Sequence, residues 1–594
     1  MATTFTTPGV YVNEISTLPS SIVAVATAVP GFFGYTEKGP INSPVRITSM
    51  IEFQAAFGGA FKETYAARIN ADSTVELTST ADSPYTLFYH MQMFFANGGG
   101  PCHIISVGHY NYDSPAIDDD DFLDLSNPNI GIGAAEQVDE ITLLVAPEVV
   151  ALIDTESRAI YDAMLAQCNK LKDRFSVFDV KVSNFVTPNV TGDADDFRND
   201  QVGANFLKYG AAYYPALDTI LTHNYSDDDV KITDLRSSPQ YNVQPNNRLS
   251  TIHNGVGSYM SFQVVATGTP VAPDTGDTVT VTIGGATAVF TCGTDFPVGT
   301  ASNSNDIALA IVNAINNHPT LSLVARAQLK NLTPDTLYIV GRTASNSTSE
   351  PAVTLDNTFS MNDWTVPNTY GAPLLPSIPG VLLSQNTGFY TSIKNLLDAR
   401  RLRLYPAATM VGIYAAVDND RGVWKAPANV SVVNIVGPSF PITEEQQGYL
   451  NVDATSGKSI DAIRSFVGRG TLVWGARTLD GNSNEWRYVP VRRLFIFVEE
   501  STKKASEFVV FEPNDKNTWL RVKGMITNFL TDLWKSGALA GDKPEQAFFV
   551  RVGLGDTMTA QDILEGKMIV VIGLAAVRPA EFIILQFEHK LQEA

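Results

Sequence analysis

Basic residues, cysteine and histidine are all scarce in this chain, and each shortage excludes something. Its 594 residues include 41 Lys and Arg against 62 Asp and Glu, a formal net charge of −21. Nucleic-acid binding and adhesion to anionic membranes both call for a basic face, so neither a nucleic-acid partner nor direct membrane insertion is expected. The three cysteines, Cys102, Cys168 and Cys292, are odd in number and far apart. That pattern implies no disulfide framework and fits a reducing site of synthesis. Seven histidines are few for acid–base chemistry near neutrality. No run of 18 apolar residues occurs, so no transmembrane helix is expected. The N-terminus lacks the basic-then-apolar pattern of a signal peptide. Synthesis in the cytoplasm follows, with escape only by lysis or inside an assembled particle.

What is present is enough apolar material for several cores: 44% of residues are hydrophobic and 10% aromatic. The length suggests three or four domains. Glycine (43) and proline (32) supply many turns. Residues 485–594 are nearly neutral, with 14 basic and 15 acidic residues, so almost all the net negative charge lies before them. A neutral C-terminal part suits contact with other protein, and an acidic remainder suits a solvated surface.

The chain falls into six segments. Residues 1–19 read as an extended arm, and 20–140 as a mixed α/β domain. There Ile22–Thr27 and Gly31–Tyr35 read as strands, Tyr85–Ala96 as a helix ended by Gly98-Gly99-Gly100, and Cys102–Val107 as a strand. Residues 141–258 read as the first part of a layered α/β domain. Its helix, Glu156–Phe175, places Ile160, Met164, Cys168, Leu171 and Phe175 on one face. Residues 259–370 turn rich in Thr, Asn and Gly. They read as an inserted β-rich outer domain, with a hairpin folded at Gly284-Gly285 and a helix over Asn305–Asn317. Residues 371–484 resume the α/β domain, with a strand at Ala407–Ala415, a helix at Ser459–Phe466 and a strand at Gly470–Trp474. Residues 485–594 form a last unit: helix Arg492–Ser506, strand Glu507–Phe511, helix Thr518–Ser536, and strands at Ala547–Val552, Met568–Leu574 and Glu581–Phe587. The fold class is therefore mixed α/β and α+β, multidomain.

No catalytic constellation emerges, so no enzyme and no cofactor are expected. Ser456-Gly457-Lys458-Ser459 resembles the end of a phosphate loop, but the required upstream glycine is replaced by Val452. Cys102, His103 and His109 offer metal-ligand chemistry without an evident fourth ligand. Asp118–Asp121 reads as a solvated acidic loop, and Asp218 with Asp227–Asp229 as turn residues.

The two ends are more informative. Pro8-Gly9 introduces Val10, Tyr11, Val12, Asn13, Glu14 and Ile15. Arg578-Pro579-Ala580 introduces Glu581, Phe582, Ile583, Ile584, Leu585, Gln586 and Phe587. Both are β-branched and aromatic, and neither has a hairpin partner adjacent in sequence. A lone apolar strand needs a sheet edge to accept it. That edge belongs either to the chain's own domain, the simpler reading of the pattern, or to another copy of the chain.

An ordered set of motifs bears on this choice. It runs from Pro8-Gly9-Val10-Tyr11-Val12-Asn13-Glu14 through Asp418-Asn419-Asp420-Arg421-Gly422-Val423-Trp424-Lys425-Ala426-Pro427. It continues with Val473-Trp474-Gly475-Ala476-Arg477-Thr478-Leu479, Val491-Arg492-Arg493-Leu494, Phe511-Glu512-Pro513-Asn514-Asp515 and Pro579-Ala580-Glu581-Phe582. This order resembles the contractile tail sheath proteins of phages and related bacterial injection systems, closely over 405–590 and more weakly over 8–250. The resemblance implies a layered sheath core whose N- and C-terminal strands are exchanged between subunits. It further implies a helical homopolymer around an inner tube protein, with baseplate and terminal cap proteins as partners. The polymer would contract from a metastable extended state to drive the tube through a target envelope. Assembly would follow synthesis in a bacterial cytoplasm, into a phage tail or a tail-like particle. Arg521, Asn528 and Lys535, on the polar face of helix Thr518–Ser536, are candidates for facing the tube, although an ordinary surface helix shows the same pattern. Two other functions stay open on the residues alone: a hydrolase-like enzyme built on the α/β domain, and an adhesin using the insert.

Overall fold

A computed structural model describes residues 22–235 and 383–584, apart from positions 80, 81, 113 and 125, and within 236–382 the segments that form strands or a helix, with position 318. The described residues divide into two compact units. One comprises the parts of the chain up to Phe61, Ser83–Leu221 and from Arg401 onward; the other comprises Lys62–Asp82 and Thr222–Arg400.

The first unit is built on a nine-stranded sheet. Its strands are β1 (Pro30–Thr36), β2 (Val45–Ile47), β3 (Cys102–His109), β4 (Leu143–Val145), β5 (Phe175–Asp179), β6 (Gly210–Tyr214), β7 (Val430–Ser431), β8 (Asp461–Phe466) and β9 (Gly470–Val473), in the spatial order β2-β3-β1-β4-β5-β6-β8-β9-β7. The six strands from β3 to β8 in that order are parallel; β2, β9 and β7 join antiparallel at the two sides. Every residue of β1, β4, β5 and β6 is buried. Parallel strands covered on both faces read as unbroken apolar runs rather than alternations.

Helices α1 (Leu87–Ala96), α2 (Asp154–Leu171) and α3 (Ala407–Arg421) belong to this unit. The expected face of α2 is buried at Ile160, Met164 and Cys168, but the helix ends at Leu171 with left-handed Lys172, and Phe175 opens β5 instead. Helix α3 corrects the strand expected at Ala407–Ala415. That segment is apolar on every side, so no period marks it as helical, and all nine of its residues are buried. Its small residues permit close packing on α1: a Cβ on Gly412 would lie 2.6 Å from the Phe94 carbonyl oxygen. Strand β8 corrects the helix expected at Ser459–Phe466. It pairs with β9 across a turn whose Gly468 and Gly470 both have φ near +75°, a conformation that favours glycine. Ile22–Thr27 forms no strand among the described residues, and Glu507–Val509 is a single 3₁₀ turn rather than the start of a strand.

Two buried carboxylates hold helix starts against the sheet. Glu148 accepts the backbone N–H groups of Tyr35 (2.8 Å), Thr86 (2.6 Å) and Leu87 (2.9 Å), the last two at the start of α1. Asp179, at the end of β5, accepts the N–H of Ala407 at the start of α3 (2.6 Å). Burial outweighs these donors and pushes Glu148 up to about 7 and Asp179 up to about 8. Between the ordinary carboxylate pKa and these values the folded chain binds more protons than the unfolded one. Each group's contribution is therefore complete below about pH 4 and lost as pH rises toward 8. Asp179→Asn keeps the acceptor for Ala407 and removes the titration. Its thermal midpoint should fall less between pH 5 and pH 8 than that of the parent chain; parallel pH profiles would refute this.

The C-terminal layer of the same unit contains α4 (Val489–Ala505), α5 (Lys516–Lys535) and the two-stranded antiparallel sheet β10 (Phe548–Arg551) and β11 (Val571–Leu574). Pro490 sits in the first turn of α4, where its missing N–H is harmless. Asp515 caps α5 by accepting the Thr518 N–H at 2.9 Å. Val522, Met525, Ile526, Phe529, Leu530 and Leu533 form the buried stripe of α5, packed with Leu494 and Phe497 of α4 and with Phe548 and Val550 of β10. Trp519, three positions before Val522, is only half-buried.

The second unit is described by itself. Strands Tyr65–Ile69 and Val75–Ser79 from its first segment join Val230–Asp234 and Asn247–Arg248 from its second in one sheet. Helix Leu383–Asp398 contributes Ile393 and Leu397 to the core of that sheet. The second segment also contains the hairpin Thr278–Ile283 with Ala286–Thr291, joined by Ala352–Leu355, a sheet of Tyr259–Gln263, Thr333–Gly341 and Ala325–Lys330, and helix Ser304–Asn317.

Candidate functional site

The motifs that order the sequence meet in space at two places, each the point where a terminal segment joins the first unit. The N-terminal root is built on Asp418, in the last turn of α3, and Arg493, in the first turns of α4. Their side chains are buried and doubly bonded, with Arg493 nitrogens 3.0 and 2.6 Å from the two Asp418 oxygens. Thr27 Oγ1 donates to Asp418 (2.5 Å), and Arg493 also donates to the Thr27 carbonyl (2.9 Å). The Arg493 guanidinium lies 4.7 Å from the centre of the Tyr414 ring. Upstream, the Val25 N–H donates to Ser501 Oγ of α4 (3.2 Å), and Ile22 is buried in the C-terminal core. A planar, always-charged guanidinium with its carboxylate paired in two bonds is a directional joint.

The C-terminal root is built on Arg477 and Glu581. Arg477 donates from Nε (2.9 Å) and from a terminal nitrogen (2.6 Å) to the two Glu581 oxygens. Asn451 Nδ2 (2.7 Å) and Tyr488 OH (3.1 Å) donate to the same carboxylate. Burial raises the Glu581 pKa, but the hydrogen bonds and the charge of Arg477 outweigh it and leave the carboxyl below its ordinary value. Among the described residues beyond Glu581, no contact of this kind continues. Phe582, Ile583 and Ile584 are 71, 79 and 83% exposed and form no strand among the described residues. Three consecutive apolar side chains in water are a docking feature rather than a resting one.

Seven residues before Glu581, β11 ends. With β10 it makes a sheet of two strands, so among the described residues each strand offers one edge of unpaired backbone groups. Two-stranded sheets are marginal alone and gain from added strands. Phe549 of β10 and Val571 of β11 are partly exposed beside these edges.

The other expected site residues fall as follows. Val10, Tyr11, Val12, Asn13, Glu14 and Ile15, and also Leu585, Gln586 and Phe587, lie outside the described residues. Glu581 spends its side chain inside its own chain. Arg521, Asn528 and Lys535 are all exposed on α5, with Arg521 5.3 Å over the Phe508 ring and Lys535 4.0 Å from Asp532. The metal candidates do not converge. Cys102 and His103 are neighbours in β3 and point to opposite faces, while His103 faces Glu140 (3.5 Å) and His109 the Gly39 carbonyl (2.9 Å). The phosphate-loop look-alike is filled by its own Asp453, which accepts the N–H groups of Thr455, Ser456 and Gly457, while Lys458 is buried on the carbonyls of Arg198 and Val202. Sequence reasoning missed a polar cluster in the second unit, where His223 Nδ1 lies 2.7 Å from Glu63 and 4.0 Å from Asp82. Tyr65 donates to Glu63, and Arg400 pairs with Asp82 at 2.5 Å. Cationic and hydroxyl partners thus already occupy these acids, and the cluster is an ion-pair network rather than a ligand set.

Comparison with known proteins agrees with the motif order. The phage tail sheath C-terminal domain family matches residues 482–590, which span α4, α5, β10, β11 and the C-terminal segment. The tail sheath protein of Vibrio phage KVP40 is 25% identical over 133 residues, 22% of this chain and 20% of that protein's length. Among solved structures, the sheath complex of the extracellular contractile injection system PVC in its contracted state is 25% identical, with 99% of each chain covered and a TM-score of 0.52. The contracted helical sheath of the anti-feeding prophage is 26% identical, with 99% of this chain and 100% of that one covered and a TM-score of 0.51.

Proposed function

We propose, on the premise that this chain belongs to the contractile tail sheath family, that it is the repeating subunit of a sheath held together by exchanged strands. The observation that carries the reading is the exposed apolar segment Phe582–Ile584, which leaves a fixed root seven residues after a two-stranded sheet with open edges. One neighbour's N-terminal strand, Val10–Ile15, and another's C-terminal strand, Glu581–Phe587, complete such a sheet. An open head-to-tail contact with a screw rotation gives a filament rather than a ring. The filament encloses an inner tube, starts at a baseplate, ends at a cap and shortens when triggered, inside a phage tail or a tail-like particle. Structural work of this kind requires no cofactor or catalytic group. Electron microscopy of the purified protein tests the reading: striated tubes of uniform width support it, and discrete particles at every concentration overturn it.

Arg521, Asn528 and Lys535 are the proposed tube-facing residues. Contacts between exposed charges are weakened by salt, which lets a tube slide free. Replacing Arg521 and Lys535 together by Glu should leave the subunit folded, since exposed substitutions move stability by only about 0.5 kcal/mol. On this reading the facing tube surface is acidic, so the substitutions set like charges against each other and co-sedimentation with tube protein should weaken by about tenfold or more. Unchanged binding at low and high salt would remove these residues from the contact.

A further inference from the structure

The C-terminal root has a feature that strand exchange alone does not require. Its carboxylate is held by groups of the first unit's main body and not by the two-stranded sheet from which the segment departs. Arg477 follows β9, Asn451 ends the helix Glu444–Asn451, and Tyr488 stands just before α4. Arg477 is itself fixed at both ends. Its guanidinium donates to the Asn451 carbonyl (3.2 Å), and its backbone N–H donates to Asp461 Oδ1 (2.9 Å). Asp461 is buried at the start of β8, in register with Tyr213 of the parallel strand β6. A Cβ on Gly475 would lie 2.5 Å from the Asp461 oxygen, so glycine there lets the loop close on the carboxylate. The chain between β11 and Glu581 is tied by backbone bonds close to the end of β11, from Ala575 N–H to the Ala547 carbonyl (2.8 Å), from Ala540 N–H to the Ala575 carbonyl (2.7 Å) and from Val577 N–H to the Ala538 carbonyl (3.3 Å), and Glu581 is the next residue of the segment with a charged side-chain anchor.

We propose that Glu581 is a positioning residue for the C-terminal strand. Gripped by Arg477, Asn451 and Tyr488, it passes tension on residues 582 onward into the nine-stranded sheet, through the Arg477 backbone and Asp461, and relieves the two-stranded sheet of that pull. The partner is a second copy of this chain, so the inference rests on the sheath reading. It adds that strand docking and strand anchoring are separate: β10 and β11 receive strands, while the segment a subunit gives away is fastened elsewhere. A carboxylate with four donors from three places resists displacement in several directions at once. A subunit that rotates during shortening needs this, because the direction of pull changes.

Two measurements decide it. On the isolated subunit, chymotrypsin cutting after Phe582 requires residues on both sides, Glu581 included, to leave the surface. Cutting after Phe587, five residues further on, does not involve the grip and serves as an internal control. Proteolysis tracks the open population, so the ratio of the two cuts, read by mass spectrometry, should rise about tenfold in Glu581→Ala. It should rise less in Glu581→Gln, which keeps an acceptor. In assembled sheaths, triggered contraction should leave parent sheaths whole and break Glu581→Ala sheaths into short pieces, with Glu581→Gln intermediate. An unchanged cleavage ratio in Glu581→Ala overturns the grip. A raised ratio with unbroken contracted sheaths overturns the transfer of tension. If the parent chain forms no sheath at all, the proposed function fails, while the cleavage ratio still decides whether Glu581 is the anchor.

Discussion

Deleting residues 1–19 is expected to give a folded subunit that no longer polymerises. The cut falls before the N-terminal root: Ile22 stays in the C-terminal core, Val25 stays on Ser501, and Thr27 stays between Asp418 and Arg493. What is lost is the segment Val10–Ile15, the proposed exchange strand. About five backbone hydrogen bonds at about 1 kcal/mol net each give an intersubunit link of about 5 kcal/mol. That is a factor of several thousand in an association constant, and the deletion removes it from every contact in the lattice. Sedimentation should show a monomer at concentrations where the parent chain forms tubes, with an unchanged circular dichroism spectrum. Normal tubes from the truncated chain would refute the exchanged arm.

Asp418→Ala should cost about 3–5 kcal/mol, the penalty for leaving a buried guanidinium without its anion. Arg493 would keep the Thr27 carbonyl and the Tyr414 ring, but neither carries a charge. The same substitution removes the acceptor for Thr27, so amide exchange over residues 27–31 should accelerate along with the fall in unfolding midpoint. The double replacement Asp418→Ala with Arg493→Met should recover much of the loss, since it removes the stranded charge. A cost below about 1 kcal/mol for Asp418→Ala would mean that the pair is screened like a surface ion pair.

Whether each element could be read from the sequence depended on its periodicity. Helix α2 was visible because Ile160, Met164 and Cys168 recur on one face and polar residues fill the other. Strands β1 and β3 were visible because short apolar runs lie between glycines. Helix α3 was misread because it is covered on all sides: a run such as Met410-Val411-Gly412-Ile413-Tyr414 carries no face to detect, and only its length separates helix from strand. Strand β8 was misread because Asp461, Arg464 and Ser465 interrupt its alternation; Asp461 is there to receive Arg477, a partner 16 residues away that no local pattern predicts. The two roots were out of reach for the same reason. Asp418 and Arg493 are 75 positions apart, and Arg477 and Glu581 are 104 apart, among 41 basic and 62 acidic residues. All four nevertheless stand inside the motifs that carried the family resemblance, and this was the one signal that could have singled them out.

The second unit is assembled from two excursions of the chain, and this limits how such proteins can be recombined. Strand Tyr65–Ile69 comes from the first excursion and lies between Val230–Asp234 from the second and its own hairpin mate. A graft that exchanges 222–400 alone would orphan that strand and cut Glu63 off from His223. Any natural or engineered swap of this unit between relatives must therefore transfer two gene segments at once, or place its junctions inside the second excursion, beyond Asp234.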